Sequence, residues 1–495
     1  MGAGMRVVGA PRLQGGCGGT RDRLPSGATM AGRYDLVIVG MGSAGMVAAE
    51  FAPTLGVRVA AVERDRVGGD CLWTGCVPSK ALLASAKAAH TVRHAAHYGL
   101  EPVTPRIDTA RVWARLRAVQ ADLAATTDSP EHFRAAGVDL HFGSARLEGP
   151  GAVAVDGAVL AARHVLVATG GRPAVPAIAG LTEAGFQTSE TVFALPRAPE
   201  SLIVIGGGPI SVELAQAFCR LGVTTTVLQR ADRILPRDEP DLVRRLVDRL
   251  RAEGVDLRLG VDVRRVSVEG GVKVVHGIAD GRPRTWRAAE LLVGAGRRPN
   301  VEGLGLAEAG VDVGPEGVVV DGGQRTSAKP VFAAGDVVGG HLFTHAAGFA
   351  AARAVRNMFF PGVARGGYAV PWCTFTDPEL AHAGLTEAQA RERFGDGDVR
   401  VWRHELRESD RARAEGATEG VMTIVTRKRR IVGAHVLAPQ AGELIGELAL
   451  AIHRKLRLTD LANVVHVYPT LALGIQQLAA QASYASARRL RWLVR

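Results

Sequence analysis

The residues best suited to chemistry lie in one glycine-rich stretch between Gly68 and Lys80. The stretch contains Cys71 and Cys76, five positions apart, and ends at the lysine. Two thiols at this spacing on the first turn of a helix can form a small disulfide that opens and closes during turnover. The partial positive charge of the helix N-terminus would also lower a thiol pKa. We therefore interpret Cys71 and Cys76 as a redox pair that carries electrons.

The bulk composition excludes several other classes of protein. The chain has 495 residues, enough for about three domains, and its 5 cysteines are too few for a secreted disulfide framework. No apolar run approaches the roughly 18 residues that span a bilayer, and the N-terminal segment lacks the apolar core of a signal peptide. The net charge is +11, but aromatic residues make up only 5% and no nucleic-acid-binding motif occurs. We therefore predict a cytoplasmic protein with no nucleic-acid partner and no integral membrane association.

A strand, a glycine turn, a helix and a second strand precede the cysteines. The apolar run from Tyr34 leads into three glycines with the spacing of a dinucleotide-binding turn, Gly40, Gly42 and Gly45. Such glycines allow a tight turn, close approach to a pyrophosphate and close helix packing, and the helix N-terminus attracts phosphate. The second strand ends at Glu63, where an acid can accept hydrogen bonds from ribose hydroxyls. This unit suits an unphosphorylated ribose, such as that of FAD.

The same pattern recurs later in the chain. A strand from Leu202 enters a turn with Gly206 and Gly208, and a further strand ends just before Gln229 and Arg230. An acid at this point would repel a 2′-phosphate, whereas a neutral amide followed by arginine accommodates it. The second unit therefore favours NADPH over NADH. Two dinucleotide units in one chain suggest that one cofactor passes electrons to the other.

The predicted fold class is α/β, with two Rossmann-like domains and a C-terminal α+β dimerisation domain. The period of the apolar residues predicts helices at 79–98, 107–125 and 241–252 and a β-meander at 138–167. The predicted units are a disordered N-terminal extension (1–30), a discontinuous FAD-binding domain (31–172 and 297–365), an NAD(P)-binding domain (173–296), a dimerisation domain (366–484) and a basic C-terminal tail (485–495).

Taken together, these motifs resemble the class I pyridine nucleotide–disulfide oxidoreductases, the family of dihydrolipoamide dehydrogenase, glutathione reductase and mercuric reductase. The resemblance extends over residues 33–480 and includes the cysteine motif, both glycine turns, and the short motifs at 168–173, 333–336 and 376–379. It implies FAD in the first domain and NAD(P)H in the second. It also implies a homodimer whose active site combines both subunits.

The resemblance assigns roles to individual residues. Cys71 would be the interchange thiol that meets the substrate, and Cys76 the thiol beside the flavin. Lys80 would pair with Glu213 near flavin N5. The residues expected to hold FAD are Gly40, Gly42, Gly45, Glu63, Lys80, Ala145, Thr169, Gly170 and Asp336. Those expected to hold the nicotinamide nucleotide are Gly206, Gly208, Gln229, Arg230 and Gly296. No metal-ligand set is predicted.

The C-terminal segment departs from the family. Disulfide reductases of the family place a His-Pro pair here, followed four residues later by a glutamate, and the histidine acts as base for the interchange thiol. This chain has Tyr468 before the proline and Leu473 in place of the glutamate. Tyrosine, with an ordinary pKa of about 10, is a poor general base at neutral pH, although it can donate a hydrogen bond to a thiolate or a bound metal. His466 could substitute, but the expected acidic partner is missing.

This departure argues against lipoamide or glutathione as substrate and is similar to mercuric reductase, which has tyrosine at this position. The similarity is incomplete, because no cysteine pair that could relay a metal follows Cys373. We therefore expect an enzyme that passes electrons from NAD(P)H through FAD and the dithiol to a small acceptor, such as a soft metal ion.

Three alternatives remain open at this stage. They are a dihydrolipoamide dehydrogenase that uses His466, an NADPH-dependent quinone or oxygen reductase whose electrons leave from the flavin, and a flavoprotein redox sensor with slow turnover.

Cys219 is expected in the core. Cys373 is either a buried thiol or a ligand.

Overall fold

The computed structural model describes residues 32–360 and 369–489. The predicted N-terminal extension with Cys17, the predicted junction at 365–366 and the end of the basic tail therefore lie outside the described residues. Within the described ranges, no helix combines the length and the apolar character needed to cross a membrane.

The first part of the chain forms a parallel sheet covered by helices. Strand β1 pairs in parallel with β2 and β6, and β2 pairs in parallel with β3. The last four residues of β1 are all buried, which is why its sequence is a continuous apolar run. The elements are β1 (Tyr34–Val39), α1 (Ser43–Phe51), β2 (Val59–Glu63), α2 (Gly69–Trp73), α3 (Cys76–Arg93), α4 (Thr109–Ala124), α5 (Pro130–Ala135), β3 (Val138–Phe142), β4 (Ala145–Leu147), β5 (Ala152–Val155), β6 (Ala158–Val167) and β7 (Gly171–Pro173).

The predicted meander is wrong in one respect. Strand β3 pairs in parallel with β2 and so belongs to the central sheet, and only β4, β5 and β6 form antiparallel neighbours. The alternation of apolar and polar residues is the same in both arrangements, so the sequence pattern alone could not identify the partner of β3.

The second part of the chain repeats the architecture on a smaller scale. Its parallel sheet has the strand order β10-β9-β8-β14, and β11, β12 and β13 form a separate antiparallel sheet. The elements are α6 (Leu181–Ala184), β8 (Ser201–Ile205), α7 (Pro209–Arg220), β9 (Thr224–Leu228), α8 (Pro240–Ala252), β10 (Asp256–Arg258), β11 (Asp262–Glu269), β12 (Val272–Ala279), β13 (Arg282–Ala288) and β14 (Glu290–Val293).

The chain then returns to the first sheet. We call the domain built on β1, β2, β3 and β6 the first body, and the domain built on β8, β9, β10 and β14 the second body. Strand β15 (Arg297–Pro299) pairs antiparallel with β7. The chain therefore leaves and re-enters the first body through this pair of strands, which we call the crossing ribbon (β7 and β15). The returning segment continues through β16 (Val313–Gly314), β17 (Gly317–Val318), β18 (Val331–Ala333) and α9 (Thr344–Phe359). Strand β18 completes the first sheet by pairing in parallel with β6.

The C-terminal part is built on an antiparallel sheet in the order β19-β20-β23-β22-β21. Its elements are β19 (Trp372–Thr374), β20 (Glu379–Gly384), α10 (Glu387–Phe394), β21 (Val399–Glu405), α11 (Asp410–Ala414), β22 (Val421–Arg427), β23 (Arg430–Ala438), α12 (Ala441–His453), α13 (Leu458–Leu461) and α14 (Leu473–Arg489). The predicted fold class, two Rossmann-like sheets followed by an α+β domain, is therefore confirmed. The individual domain boundaries stay a prediction.

Candidate redox active site

The two cysteines lie on different helices. Cys71 is on the short helix α2, whereas Cys76 is the first residue of α3. The expectation that both thiols share the first turn of one helix is therefore wrong. The bend between the helices requires Gly75, because a Cβ there would lie 2.8 Å from the carbonyl oxygen of Asp70. This bend brings the two thiols into hydrogen-bonding contact.

The surroundings of Cys76 favour its thiolate. The hydrogen bond from Cys71 lowers the pKa of Cys76, as do the Thr344 hydroxyl, 3.3 Å from Sγ, and the charge of Lys80. Burial and the charge of Glu213 act to raise the pKa of Cys76, but the net effect is a lowered pKa. The same hydrogen bond and burial raise the pKa of Cys71. The reduced pair therefore favours a thiolate at Cys76 and a thiol at Cys71.

Lys80 and Glu213 form the ion pair that the resemblance implies. Lys80 Nζ lies 2.9 Å from Glu213 Oε2, and the backbone N–H of Phe375 donates to Glu213 Oε1 at 2.9 Å. The ammonium group also lies 4.3 Å from the centre of the Phe375 ring. Helices α3 and α7 and the C-terminal domain therefore meet next to Cys76.

The first glycine turn has the geometry of a phosphate-binding loop. Gly40 has φ +100°, and a Cβ at Gly45 would lie 1.8 Å from the carbonyl oxygen of Gly40, so neither position accepts a side chain. Glu63 fixes the turn, because its Oε2 accepts a hydrogen bond from the backbone N–H of Met41 at 2.8 Å. Gly42 precedes α1, whose N-terminus has no side-chain cap and no acid in its first turn. These features fit the anionic pyrophosphate of FAD.

The other residues expected to hold FAD lie where the chain returns. The Thr169 hydroxyl donates to the carbonyl oxygen of Asn300 at 2.7 Å, and Gly170 accepts from the Asn300 backbone N–H at 3.0 Å. Asp336 follows β18 and accepts from Arg297. Ala145 begins β4 and pairs with a neighbouring strand. Thr169 and Gly170, just before β7, therefore bind the chain to Asn300, just after β15, in the described structure.

The second glycine turn also leaves room for a phosphate. Gly206 has φ +117°, and a Cβ there would lie 2.4 Å from a backbone oxygen. A Cβ at Gly208 would meet no heavy atom within 4 Å, at the uncapped N-terminus of α7. Gln229 donates its amide to the carbonyl oxygen of Arg233 at 3.2 Å, whereas Arg230 is exposed. These residues fit a nicotinamide dinucleotide, with Arg230 as the group open to a 2′-phosphate.

Gly296 lies at the end of this unit, immediately before the crossing ribbon. Its φ is +121°, a value that favours glycine. The turn leads directly into Arg297 at the start of β15.

The C-terminal segment contains a pair that sequence reasoning missed. His466 Nε2 lies 3.1 Å from Glu447 Oε1, and Nδ1 lies 3.0 Å from the carbonyl oxygen of Val464. The expectation that His466 lacks an acidic partner is therefore wrong, because Glu447 on α12 takes the place of the missing glutamate. Both ring nitrogens of His466 therefore lie beside acceptor oxygens of the same subunit.

Tyr468 is exposed, and its hydroxyl donates to Asp410 Oδ2 at 3.3 Å. Among the described residues, neither Tyr468 nor His466 is hydrogen-bonded to the cysteines of the same chain.

The remaining described cysteines lie apart from the pair. Cys219 packs against the core of the second body and donates to the carbonyl oxygen of Glu253 at 3.3 Å. Burial, followed by Glu379, raises the pKa of Cys373. Its thiol donates to the carbonyl oxygen of Thr374 at 3.6 Å, and its role as a buried thiol or a ligand stays a prediction. In the part of the chain that the structure describes, no cluster of three His, Cys, Asp or Glu side chains could hold a metal ion.

Comparison with known proteins establishes the class. The sequence model described as pyridine nucleotide-disulphide oxidoreductase matches residues 34–353, and that of its dimerisation domain matches residues 370–479. The chain therefore belongs to the pyridine nucleotide-disulphide oxidoreductases. The family implies FAD and NAD(P)H as cofactors.

Individual relatives share the class but differ in what they are named for. The chain is 33% identical over 456 residues to mercuric reductase from Bacillus cereus, covering 90% of this chain and 70% of that protein. It is 35% identical over 463 residues to dihydrolipoyl dehydrogenase from Thermus scotoductus, covering 90% of this chain and 96% of that protein. These similarities indicate a disulfide oxidoreductase and do not separate the two acceptors.

A solved structure shows the same architecture. It is the Cu(II) complex of the HOCl-induced flavoprotein disulfide reductase RclA from Escherichia coli, with a TM-score of 0.81 and 27% sequence identity. The match covers 91% of this chain and 99% of that one. This chain is therefore a flavoprotein disulfide oxidoreductase.

Thr344 was not predicted, because it lies in the returning segment, 268 residues from Cys76. Replacing it (Thr344→Val) is expected to raise the apparent pKa of the Cys76 thiolate by roughly one unit, since a hydrogen bond to a charged group contributes about 1.5 kcal/mol or more. A depressed pKa means that the thiolate is lost as pH falls, so the variant should lose it at a higher pH than the wild type. The measurement is a pH titration of the two-electron-reduced holoenzyme. It follows the long-wavelength charge-transfer absorbance between the Cys76 thiolate and the flavin.

Ser79→Ala is the matched control for this titration. The Ser79 hydroxyl donates to the backbone carbonyl of Cys76 at 3.1 Å and not to its thiol. Its variant should therefore titrate like the wild type. Equal apparent pKa values for Thr344→Val and the wild type would contradict the role of this hydroxyl.

Proposed function

We propose that the enzyme passes electrons from NADPH through FAD and the Cys71–Cys76 pair to a soft metal ion. The observation that carries this proposal is that a tyrosine, and not a histidine, stands before the proline of the C-terminal segment. Tyr468 stands where disulfide reductases have histidine, and His466 is engaged by Glu447. The relatives include a mercuric reductase and a flavoprotein disulfide reductase solved as its Cu(II) complex, so a metal ion is among the ligands known for such proteins.

The proton balance explains why a metal ion suits this site. Reduction of the disulfide takes two electrons and one proton and gives a Cys76 thiolate and a Cys71 thiol, the forms that the surroundings favour. A soft dication deprotonates a coordinating thiol directly. The two electrons then pass to one Hg(II) ion, or one electron to each of two Cu(II) ions; the S–S bond forms again, and the proton of Cys71 goes to solvent. No histidine base is required, whereas exchange with a disulfide substrate would require one.

Bound FAD would accept hydride and store two electrons. Gly40, Gly42, Gly45 and Glu63 would hold its adenosine and phosphate portion, with Asp336, Thr169, Gly170 and Ala145 along its length. Lys80, oriented by Glu213, would place a positive charge where reduced flavin carries negative charge. Gly206, Gly208, Gln229, Arg230 and Gly296 would hold NADPH.

A homodimer would complete the site. The dimerisation domain exposes apolar side chains beside Tyr468, including Val465 at 92% and Val467 at 74% exposure. Burying such side chains favours association. In a homodimer with a shared active site, the hydroxyl of Tyr468 of one subunit would donate a hydrogen bond to a thiolate of the pair on the other.

Parallel turnover with Hg(II), Cu(II), lipoamide, glutathione disulfide and a quinone tests the acceptor. The kcat/KM for a metal ion should exceed that for each disulfide by at least about 100-fold, the usual contribution of a general base. Lipoamide turnover that rivals the metal and disappears in His466→Gln would instead identify a dihydrolipoamide dehydrogenase. That is the second candidate, favoured by the similarity to dihydrolipoyl dehydrogenase.

The coenzyme preference is tested separately. We expect a higher kcat/KM for NADPH than for NADH, and Arg230→Glu should lower the value for NADPH by roughly tenfold or more, because it replaces attraction to the 2′-phosphate by repulsion. Arg264→Glu is the control, since that exposed arginine of β11 pairs with Asp262. A wild-type preference for NADH would contradict the assignment.

A further inference from the structure

One buried guanidinium joins the crossing ribbon to the redox helix. Arg297 begins β15, and only 16% of its side chain is exposed. Its Nε donates to Asp336 Oδ2 at 3.1 Å, and its Nη2 donates to the carbonyl oxygen of Gly171 at 2.7 Å. The same Nη2 pairs with the carboxylate of Asp70.

These partners come from three separate places in the fold. Asp70 lies in the first turn of α2, next to Cys71. Gly171 belongs to β7, the outgoing strand of the ribbon, and Asp336 follows β18. The planar fork of arginine can satisfy several acceptors at once in a fixed geometry, which lysine cannot do.

Helix α2 depends on such external contacts. It has five residues and no side-chain N-cap. Gly68 before it and Gly69 at its start have φ +104° and +52°, values that favour glycine. At the other end, Gln120 donates to the carbonyl oxygens of Leu72 and Trp73 at 3.0 and 2.8 Å. A helix this short is marginal without tertiary contacts, and Arg297 contacts its first turn.

The charges around Arg297 show what its removal would do. Asp70 and Asp336 would be left as neighbouring carboxylates with no cation between them. Glu190 is also close, since burial and the charge of Asp70 raise its pKa. Repulsion among these acids would move Asp70, and with it Cys71.

We propose that Arg297 is a positioning residue that sets the thiol–disulfide equilibrium of Cys71 and Cys76 by holding α2 against the crossing ribbon. The proposal rests on the redox role of the pair in the proposed function, but not on the identity of the acceptor. In the equilibrium, the reduced pair gives two electrons and the Cys71 proton to oxidised dithiothreitol, which takes a second proton from solvent; the S–S bond of the pair forms, and reduced dithiothreitol is released.

The test is equilibration of the holoenzyme in dithiothreitol redox buffers, followed by alkylation and mass-spectrometric counting of free Cys71 and Cys76. Arg297→Met is expected to shift the equilibrium about tenfold towards the dithiol, equivalent to about 30 mV, because the two sulfurs are held together less closely. Asp70→Asn weakens the same contact from the other side and should shift it in the same direction. Arg297→Lys should restore part of the shift.

Arg172→Met is the matched control. Arg172 lies on the other strand of the ribbon, but its guanidinium binds Glu302 and Asn300 and does not contact α2. Its variant should keep the wild-type equilibrium. If Arg297→Met loses FAD or folds poorly, Asp70→Asn and Arg297→Lys still decide the question.

Two outcomes would overturn the proposal, and they are distinguishable. A wild-type equilibrium in Arg297→Met and Asp70→Asn, with lower thermal stability or weaker FAD retention, would make Arg297 a purely structural residue and leave the proposed function intact. A wild-type pair that forms no disulfide in any redox buffer would overturn the proposed function together with the role of Arg297.

Discussion

Cys71→Ser is expected to lower metal-dependent NADPH oxidation by at least about a thousandfold, as expected for loss of a reacting nucleophile. Without Cys71 the disulfide cannot form, so the acceptor loses its two-electron donor. The variant should still show the long-wavelength band of the reduced enzyme, because Cys76 is the member of the pair whose pKa is lowered. Cys76→Ser should lose both turnover and the band. Stopped-flow absorbance during titration with NADPH measures both quantities.

Cys219→Ser is the control for these two variants. Cys219 packs against the core of the second body, away from the pair, and its variant should retain turnover and the band. The proposal that electrons pass through the disulfide would be contradicted if Cys71→Ser still reduced quinones and the enzyme never showed the charge-transfer band. Electrons would then leave from the flavin.

Arg220→Met is expected to destabilise the protein by about 2–3 kcal/mol, less than the full cost of leaving a buried carboxylate unpaired, because Arg249 still lies 2.6 Å from Glu253. Arg220 and Glu253 have side-chain exposures of 3% and 5%, and the guanidinium lies 2.6 Å from Glu253 and 2.8 Å from Asp377. The pair joins α7 and α8 of the second body to the C-terminal domain. The midpoint of urea unfolding of the holoenzyme measures the loss.

The pH dependence of this stability follows from the same contacts. Although burial acts to raise them, the charge of Arg220 leaves the pKa values of Glu253 and Asp377 lowered. A lowered carboxylate pKa contributes stability above the unfolded value, and that contribution is lost as pH falls through the folded value. The difference between wild type and Arg220→Met should therefore be largest near neutral pH and shrink in acid.

Arg244→Met is the control for Arg220→Met. Arg244 also lies on α8 and pairs with Asp241, but its side chain is 70% exposed. Exposed pairs contribute about 0–1 kcal/mol, so the urea midpoint should change little. Equal effects of the two substitutions would contradict the importance of the buried pair.

The sequence predicted the parts of the site that depend on local pattern. The two glycine turns follow apolar strands directly, and the cysteine motif is contiguous, so their residues are positioned by elements close in the chain. Thr344, Glu447 and Arg297 could not be assigned in this way. Thr344 and Arg297 act through partners 268 and 227 residues away, and Glu447 lies on a different helix 19 residues before His466. No local feature marks a threonine, glutamate or arginine for such a contact. The roles of the predicted site residues stay proposals.

The pairing of β18 with β6 has a consequence for the order in which the protein is made. Val331 lies opposite Val165, and the entire second nucleotide-binding body is encoded between them. As the chain leaves the ribosome, the second body has all its strands while the first body still lacks strand β18. Since domains generally fold as units during synthesis, the second is expected to fold first. Asp336 follows β18, so the part of the first body proposed to hold FAD is completed only after the second body has been synthesised.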